Sequence, residues 1–218
     1  MSPMRKISLV LLTVVVFTCV FSGSEAEKEP LWEYYSTSEI SAVAISDDSA
    51  NVSATYAKSI SLWRNHTSSP YNTKTVGQGI SAMDMSSDGR FVVTGEETDT
   101  TVTLWEEGSK NWEKTDFFLS VIDIDMTPDG NYLAVSDLKN VYYFNTNSDD
   151  EIWVDNYASD TMTTVAISPN HQYIASGTED GNVYVYDTSS SSAAWYHSGT
   201  LDGKITDLDF SGDSNYLI

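Results

Sequence analysis

Beyond Cys19 the sequence has no cysteine. Disulfides, thiol nucleophiles and thiolate metal sites are therefore excluded from nearly the whole chain. Positive charge is almost as scarce. Eleven Lys and Arg stand against 32 Asp and Glu, a formal net charge of −21 with a pI of about 4.1. Such a chain repels a phosphate backbone and an anionic lipid surface, so no nucleic-acid partner is expected. Histidine occurs only as His66, His171 and His197, in turns or links, with no second His at metal-ligand spacing. There is no G-x-S-x-G elbow and no glycine-rich phosphate loop; Gly77-Gln78-Gly79 reads as a link between strands. What the sequence does have is hydrophobic residues at 40%, enough to build a core.

One apolar run stands apart, Ile7 to Phe21, preceded by Arg5 and Lys6 and followed by Ser22-Gly23-Ser24-Glu25-Ala26. This is the three-part pattern of a secretory signal, with cleavage after Ala26 or after Ser24. The run is short for a spanning helix of about 20 residues; an uncleaved anchor is the alternative, and the one membrane contact expected. Cys19 follows Val16-Phe17-Thr18 rather than the small residues of a lipidation site. Residues 1–26 are thus read as the leader and 27–218 as one exported domain, secreted or at the cell surface. Asn51-Val52-Ser53 and Asn65-His66-Thr67 both fit the N-glycosylation acceptor pattern.

The domain repeats itself. ISAVAISDDSA from Ile40, ISAMDMSSDGRF from Ile80, VIDIDMTPDGNY from Val121, MTTVAISPNHQY from Met162 and ITDLDFSGDSNY from Ile205 are each an alternating strand, a Ser/Thr and a turn. The turn positions Asp48, Asp88, Asp129, Asn170 and Asp213 fall 40, 41, 41 and 43 residues apart. Gly89 and Gly130 follow two of them. A second strand comes next (NVSATYA, FVVTGE, YLAVSD, YIASGT), then a third ending in Trp63, Trp105, Phe144 or Tyr186. A fourth is marked by Trp112, Trp153 and Trp195, with Tyr71 and Trp32 in the equivalent places. Four short strands per roughly 41 residues, several apolar on both faces, predict sheets stacked radially as blades of an all-β propeller. The count is about four and a half blades: a lone fourth strand near Leu31–Thr37, four full repeats from near 40, 80, 121 and 162, and a partial one from 205. The expectation is an incomplete ring from a longer gene, truncated at the C-terminus.

Ser176-Gly177-Thr178-Glu179-Asp180-Gly181 through Val183-Tyr184-Val185-Tyr186-Asp187 resembles the second-to-third strand segment of a WD-repeat blade. Met126-Thr127-Pro128-Asp129-Gly130 and Ile167-Ser168-Pro169-Asn170 look like that family's first-strand exit. No Gly-His pair precedes Ile40, Ile80, Val121, Met162 or Ile205, so the family's His–Ser/Thr–Trp–Asp network is not expected intact. Asp187-Thr188 with Trp195, and Asn145-Thr146 with Trp153, are similar to quinoprotein (PQQ-like) propeller repeats. In those an outer Trp docks blade on blade, a role the resemblance implies for Trp32, Trp112, Trp153 and Trp195.

Two features invite a chemical reading. Asp123 and Asp125 lie two apart on a first strand, on one face, and Asp207 with Asp209 repeats them; Asp84 matches Asp125. They could hold a hard cation, or, the expectation favoured here, could bond backbone amides of the neighbouring blade or water in the channel. Asp180-Gly181, with the bends at Asp99 and Asp137, reads as a strand-pairing turn, Asp180 capping turn amides and Gly181 supplying the permissive backbone. Quinoprotein enzymes imply a full ring, a calcium site and a catalytic Asp, many with adjacent cysteines. The expectation is instead no cofactor and no catalysis: a protein-interaction scaffold, with a fragment of a quinone-cofactor dehydrogenase or a carbohydrate-binding propeller as alternatives.

Overall fold

The computed structural model describes residues 30–98, 100–117, 119–156, 160–197 and 203–218. The leader and Asp99 lie outside them. Sixteen strands form four antiparallel sheets of four. Blade 1 is β1 (Ile40–Ile45), β2 (Asn51–Tyr56), β3 (Ser59–Arg64) and β4 (Asn72–Thr75). Blade 2 is β5 (Ile80–Met85), β6 (Phe91–Glu96), β7 (Val102–Glu106) and β8 (Ser109–Lys114). Blade 3 is β9 (Val121–Met126), β10 (Tyr132–Asp137), β11 (Val141–Asn145) and β12 (Glu151–Asp155). Blade 4 is β13 (Met162–Ile167), β14 (Tyr173–Thr178), β15 (Val183–Asp187) and β16 (Ala193–His197).

In every blade the strands pair in chain order, because short turns let each strand fold straight back on the last. In blade 3, Val135 of β10 sits opposite Ile124 of β9 and Tyr142 of β11. The second and third strands carry apolar or small residues on both faces and are buried on both, from Val92 to Gly95 in β6 and Leu133 to Ser136 in β10. A sheet of that kind cannot stand alone. β1, β5, β9 and β13 lie in a row along the inner side, and the hydrophobic clusters form between blades. Val93, Val102 and Leu104 of blade 2 pack on Val121, Leu133 and Phe144 of blade 3. Each such side chain, fully removed from water, contributes roughly 2 kcal/mol. The result is a propeller arc whose sheets do not close into a ring.

The ends of the arc differ from the sequence expectation in one respect. Residues 31–37 form no strand. A strand needs a hydrogen-bonded neighbour, and the third strand that would supply one is not beside them. The side chains nevertheless reach blade 1: Trp32 stacks on Trp63 at 6.3 Å and Tyr34 meets Trp63 edge-on at 4.9 Å. At the other end Phe210 bridges Leu217, and Asp209 and Ile218 exchange both backbone bonds, the opening ladder of a fifth unit.

Candidate binding surface and the contacts that frame it

The turn between first and second strands is one device made five times. In blade 3 the Thr127 hydroxyl donates to Asp129 Oδ1 at 2.6 Å, the Asn131 amide donates to the same oxygen at 3.1 Å, and the Tyr132 amide donates to Thr127 Oγ1 at 3.1 Å. Ser46 with Asp48, Ser86 with Asp88, Ser168 with Asn170 and Ser211 with Asp213 repeat the hydroxyl-to-side-chain bond at 2.6 to 2.8 Å. The Ser46 and Ser211 hydroxyls, with nearby amides, hold the Asp48 and Asp213 carboxyls below the usual range. Burial works the other way at Asp129, but the Thr127 and Asn131 bonds outweigh it and its carboxyl is also lowered. Gly89 and Gly130 take positive φ angles of 68° and 70° in these turns. A Cβ on either would meet the preceding blade, 2.5 Å from Asn51 Nδ2 and 2.7 Å from Phe91 Cδ2 respectively.

The first-strand aspartates join blades. Asp84 Oδ2 of β5 accepts the Met126 amide of β9 at 2.7 Å. Asp125 Oδ2 of β9 accepts the Ile167 amide of β13 at 2.7 Å. Asp123 Oδ2 accepts the Val165 amide at 3.0 Å and the Thr164 hydroxyl at 2.9 Å. Burial raises all three carboxyls. Asp125 stands well above the usual range, because the Asp84 charge adds to burial and the two carboxyls share a hydrogen bond. Asp207 and Asp209 are exposed. Among the described residues, no three or more His, Cys, Asp or Glu are grouped to hold a metal ion.

The outer tryptophans reach across as well. Trp112 Nε1 of blade 2 donates to Thr146 O of blade 3 at 2.8 Å, and Trp153 Nε1 of blade 3 donates to Thr188 O of blade 4 at 2.8 Å. Trp32 Nε1 makes the same bond to Asn65 O at 2.8 Å. Between blades 1 and 2 the bond comes from Asn72 Nδ2 to Gly108 O, a substitution the aromatic pattern did not reveal. Trp195 is 52% exposed and stacks on His197, which closes β16 rather than lying in a link.

At the opposite end of the blades, Asp180 is not the cap its sequence suggested. Its amide donates to Asp160 Oδ2 at 3.3 Å, which also accepts Asn182 Nδ2 at 3.1 Å. Asp160 stands two residues before β13, near where a WD repeat carries its His. Gly181 has φ of 77° in the turn ahead of β15. Asp137 closes the equivalent turn of blade 3, accepting the Asn140 amide at 2.8 Å and the Tyr142 hydroxyl at 2.7 Å. Part of the His–Ser/Thr–Trp–Asp arrangement survives in blade 2, where Trp105 Nε1 donates to Thr94 Oγ1 at 3.0 Å.

Segments 70–106 and 155–187 match the family described as WD domain, G-beta repeat. Those two segments are similar to WD-type repeats. The first matched segment runs through β4 to β7 and the second through β13 to β15, so the likeness falls on blades 2 and 4. Over 162 residues the chain is 28% identical to Autophagy-related protein 16 of Arabidopsis thaliana, covering 70% of this chain and 32% of that protein. Over 58 residues it is 43% identical to an uncharacterized WD repeat-containing protein of Schizosaccharomyces pombe, covering 26% of this chain and 10% of the other. The chain therefore spans about a third or less of each relative. Trp32, Trp112, Trp153 and Trp195, likened above to quinoprotein repeats, all lie outside the two matched segments.

Two apolar depressions at blade 1 have almost no room. The one lined by Trp32, Tyr34, Val52, Tyr56 and Trp63 has about 10 Å³, one water at most. The one beside Ile60, Asn72 and Trp105 has none. Sites for small-molecule substrates run to roughly 300 Å³ and more.

Proposed function

We propose that this chain is a non-catalytic interaction scaffold, exported from the cytoplasm, whose partner is a protein held at one end of the blades. One observation carries the choice of end. The turns after the first strands and the loops after the third strands are taken up in holding blades together, through the Ser/Thr–Asp device and the Trp-to-carbonyl bonds. Among the described residues none of these bonds falls at the other end, where the loops, like those after the third strands, differ in length from blade to blade. Those between second and third strands run from 57–58 in blade 1 to 97–101 in blade 2; those joining blades run from 76–79 to 115–120. A rigid arc carrying unequal loops suits recognition of another surface. Export rests on the leader, and the WD-type repeats favour a binding role over catalysis.

The test pairs binding with stability. Glu97 and Glu179 are exposed on these loops. Cross-linking of the protein in its native extract, followed by mass spectrometry, is expected to capture a partner that the Glu97→Lys/Glu179→Lys double variant loses. The melting temperature should barely move, since exposed substitutions change stability by about 0.5 kcal/mol or less. Retained capture would place the surface elsewhere. A quinone absorbance after reconstitution with calcium would overturn the non-catalytic reading, and recovery only in the cytoplasm would overturn export.

A further inference from the structure

Blade 1 holds two Asn-x-Ser/Thr triplets, and the structure treats them oppositely. Asn51 opens β2 and is only 6% exposed. Its Nδ2 donates to Asp88 O in the first turn of blade 2 at 3.2 Å, and its Oδ1 accepts from Arg64. Ser53, the hydroxyl residue of that triplet, is completely buried. A sugar on Asn51 Nδ2 would stand where blade 2 seats on blade 1.

Asn65 follows β3, in the loop to β4. Its backbone is held from both sides: its amide donates to Ala50 O at 3.0 Å and its carbonyl accepts Trp32 Nε1 at 2.8 Å. The Thr67 amide donates to Arg64 O at 3.2 Å and closes a turn around it. Among the described residues no hydrogen bond engages the Asn65 side-chain amide. Asn65 and Thr67 are half-buried, and His66, Ser68 and Ser69 beside them are exposed. The acceptor thus stands part-exposed on a fixed turn, its side-chain amide uncommitted among the described residues, with its hydroxyl residue two positions on.

We propose that Asn65 is an N-glycosylation site of the folded protein and that Asn51 is not. This rests on the export reading above, since the donor is met only along that route. The step joins Asn65 Nδ2 to the anomeric carbon of a lipid-diphosphate-linked oligosaccharide. It breaks that carbon's bond to the diphosphate, releases the lipid diphosphate, and passes one amide proton through the transferase to solvent. Because strands alternate in direction, the loop after the third strand and the turn after the first lie at one end of a blade. The glycan therefore covers the end opposite the loops assigned to the partner and leaves those open.

The experiment expresses the full chain, with its own leader, in a secretory eukaryotic cell. The trypsin-resistant folded pool is recovered and its glycosylated asparagines are mapped by enzymatic deglycosylation in heavy-oxygen water. One glycan is expected, at Asn65, and both Asn65→Gln and Thr67→Ala should abolish the mobility shift. Thr67→Ala keeps the asparagine, so a shift lost in both cannot come from a folding defect at Asn65 alone. A folded, membrane-enclosed or secreted pool without a glycan, or with one at Asn51, overturns the site while leaving export intact. A chain found only in the cytosol, unshifted, overturns export and the site together.

Discussion

At the scale of single residues, the left-handed position of the first turn recurs in every repeat. Ser49, Gly89, Gly130, His171 and Ser214 have φ angles of 57°, 68°, 70°, 51° and 60°. A residue with a Cβ pays about 1–2 kcal/mol in this conformation. Glycine avoids that but loses roughly 0.5–1 kcal/mol of chain entropy on folding. Ser49→Gly should therefore stabilise the protein by about 0.5 kcal/mol, read as a higher denaturant midpoint at unchanged slope. Gly89→Ala should do the reverse and more strongly, by about 2–3 kcal/mol, because strain adds to the collision with Asn51 across the blade seam. If both substitutions moved the midpoint equally, the seam would have no part in fixing glycine there. His171 is a poorer test, since its ring stacks on Tyr132 at 4.7 Å and the ring would be lost too. These turns were legible in the sequence because the device is local: hydroxyl, carboxylate and amides all lie within five residues.

At the scale of elements, blades are joined by side chains that reach backbone groups 34 to 42 residues away. Trp153→Phe keeps the ring and removes the bond to Thr188 O, so it should cost about 1 kcal/mol. Trp195→Phe, at a half-exposed site, should change stability by no more than about 0.5 kcal/mol. Equal losses at the two sites would deny the cross-blade bond its role. The carboxyls of Asp84, Asp123 and Asp125 give a pH dependence with a definite sign. Their folded values lie above 3.8, so in the window above that value the folded state holds protons the unfolded chain has released. The stability they contribute is present at low pH and is lost as pH rises through the raised values. The lowered Asp48, Asp129 and Asp213 act oppositely, losing stability as pH falls below 3.8. Thermal stability should thus peak on the acid side of neutrality and fall away on both sides. Asp125→Asn, which can still donate to Asp84 and accept the Ile167 amide, should flatten the neutral limb. A wild-type curve that rises steadily from pH 5 to 8 would contradict this. Sequence reasoning saw the aligned aspartates but not their destinations, because a backbone amide on the next blade has no side-chain signature. It missed Asn72 and Asp160 for a related reason: each does a job the repeat pattern gives to another residue type.

At the scale of the molecule, burial and charge pull against each other. Val43 and Ile45 of β1 are 51% and 47% exposed. One repeat on, in blade 2, Met83 is half-buried and Met85 is 8% exposed; further along, Ile124 and Met126 of blade 3 are each 5% exposed, and Val165 and Ile167 of blade 4 are 3% and 4%. Blade 1 therefore presents to water a face that inner blades bury against a neighbour. An open apolar face of this kind favours association. The net charge of −21 opposes it, through repulsion that salt screens. The screening length falls from about 30 Å at 0.01 M to about 3 Å at 1 M. Sedimentation should accordingly show a monomer at 0.01 M salt and concentration-dependent self-association at 1 M. Val43→Thr/Ile45→Lys should remain monomeric at 1 M salt, with little change in melting temperature because neither side chain is fully buried in the arc. A double variant that associates as strongly as the parent would remove the blade 1 face from the explanation. Self-association that weakened as salt was raised would remove the balance between charge and apolar burial.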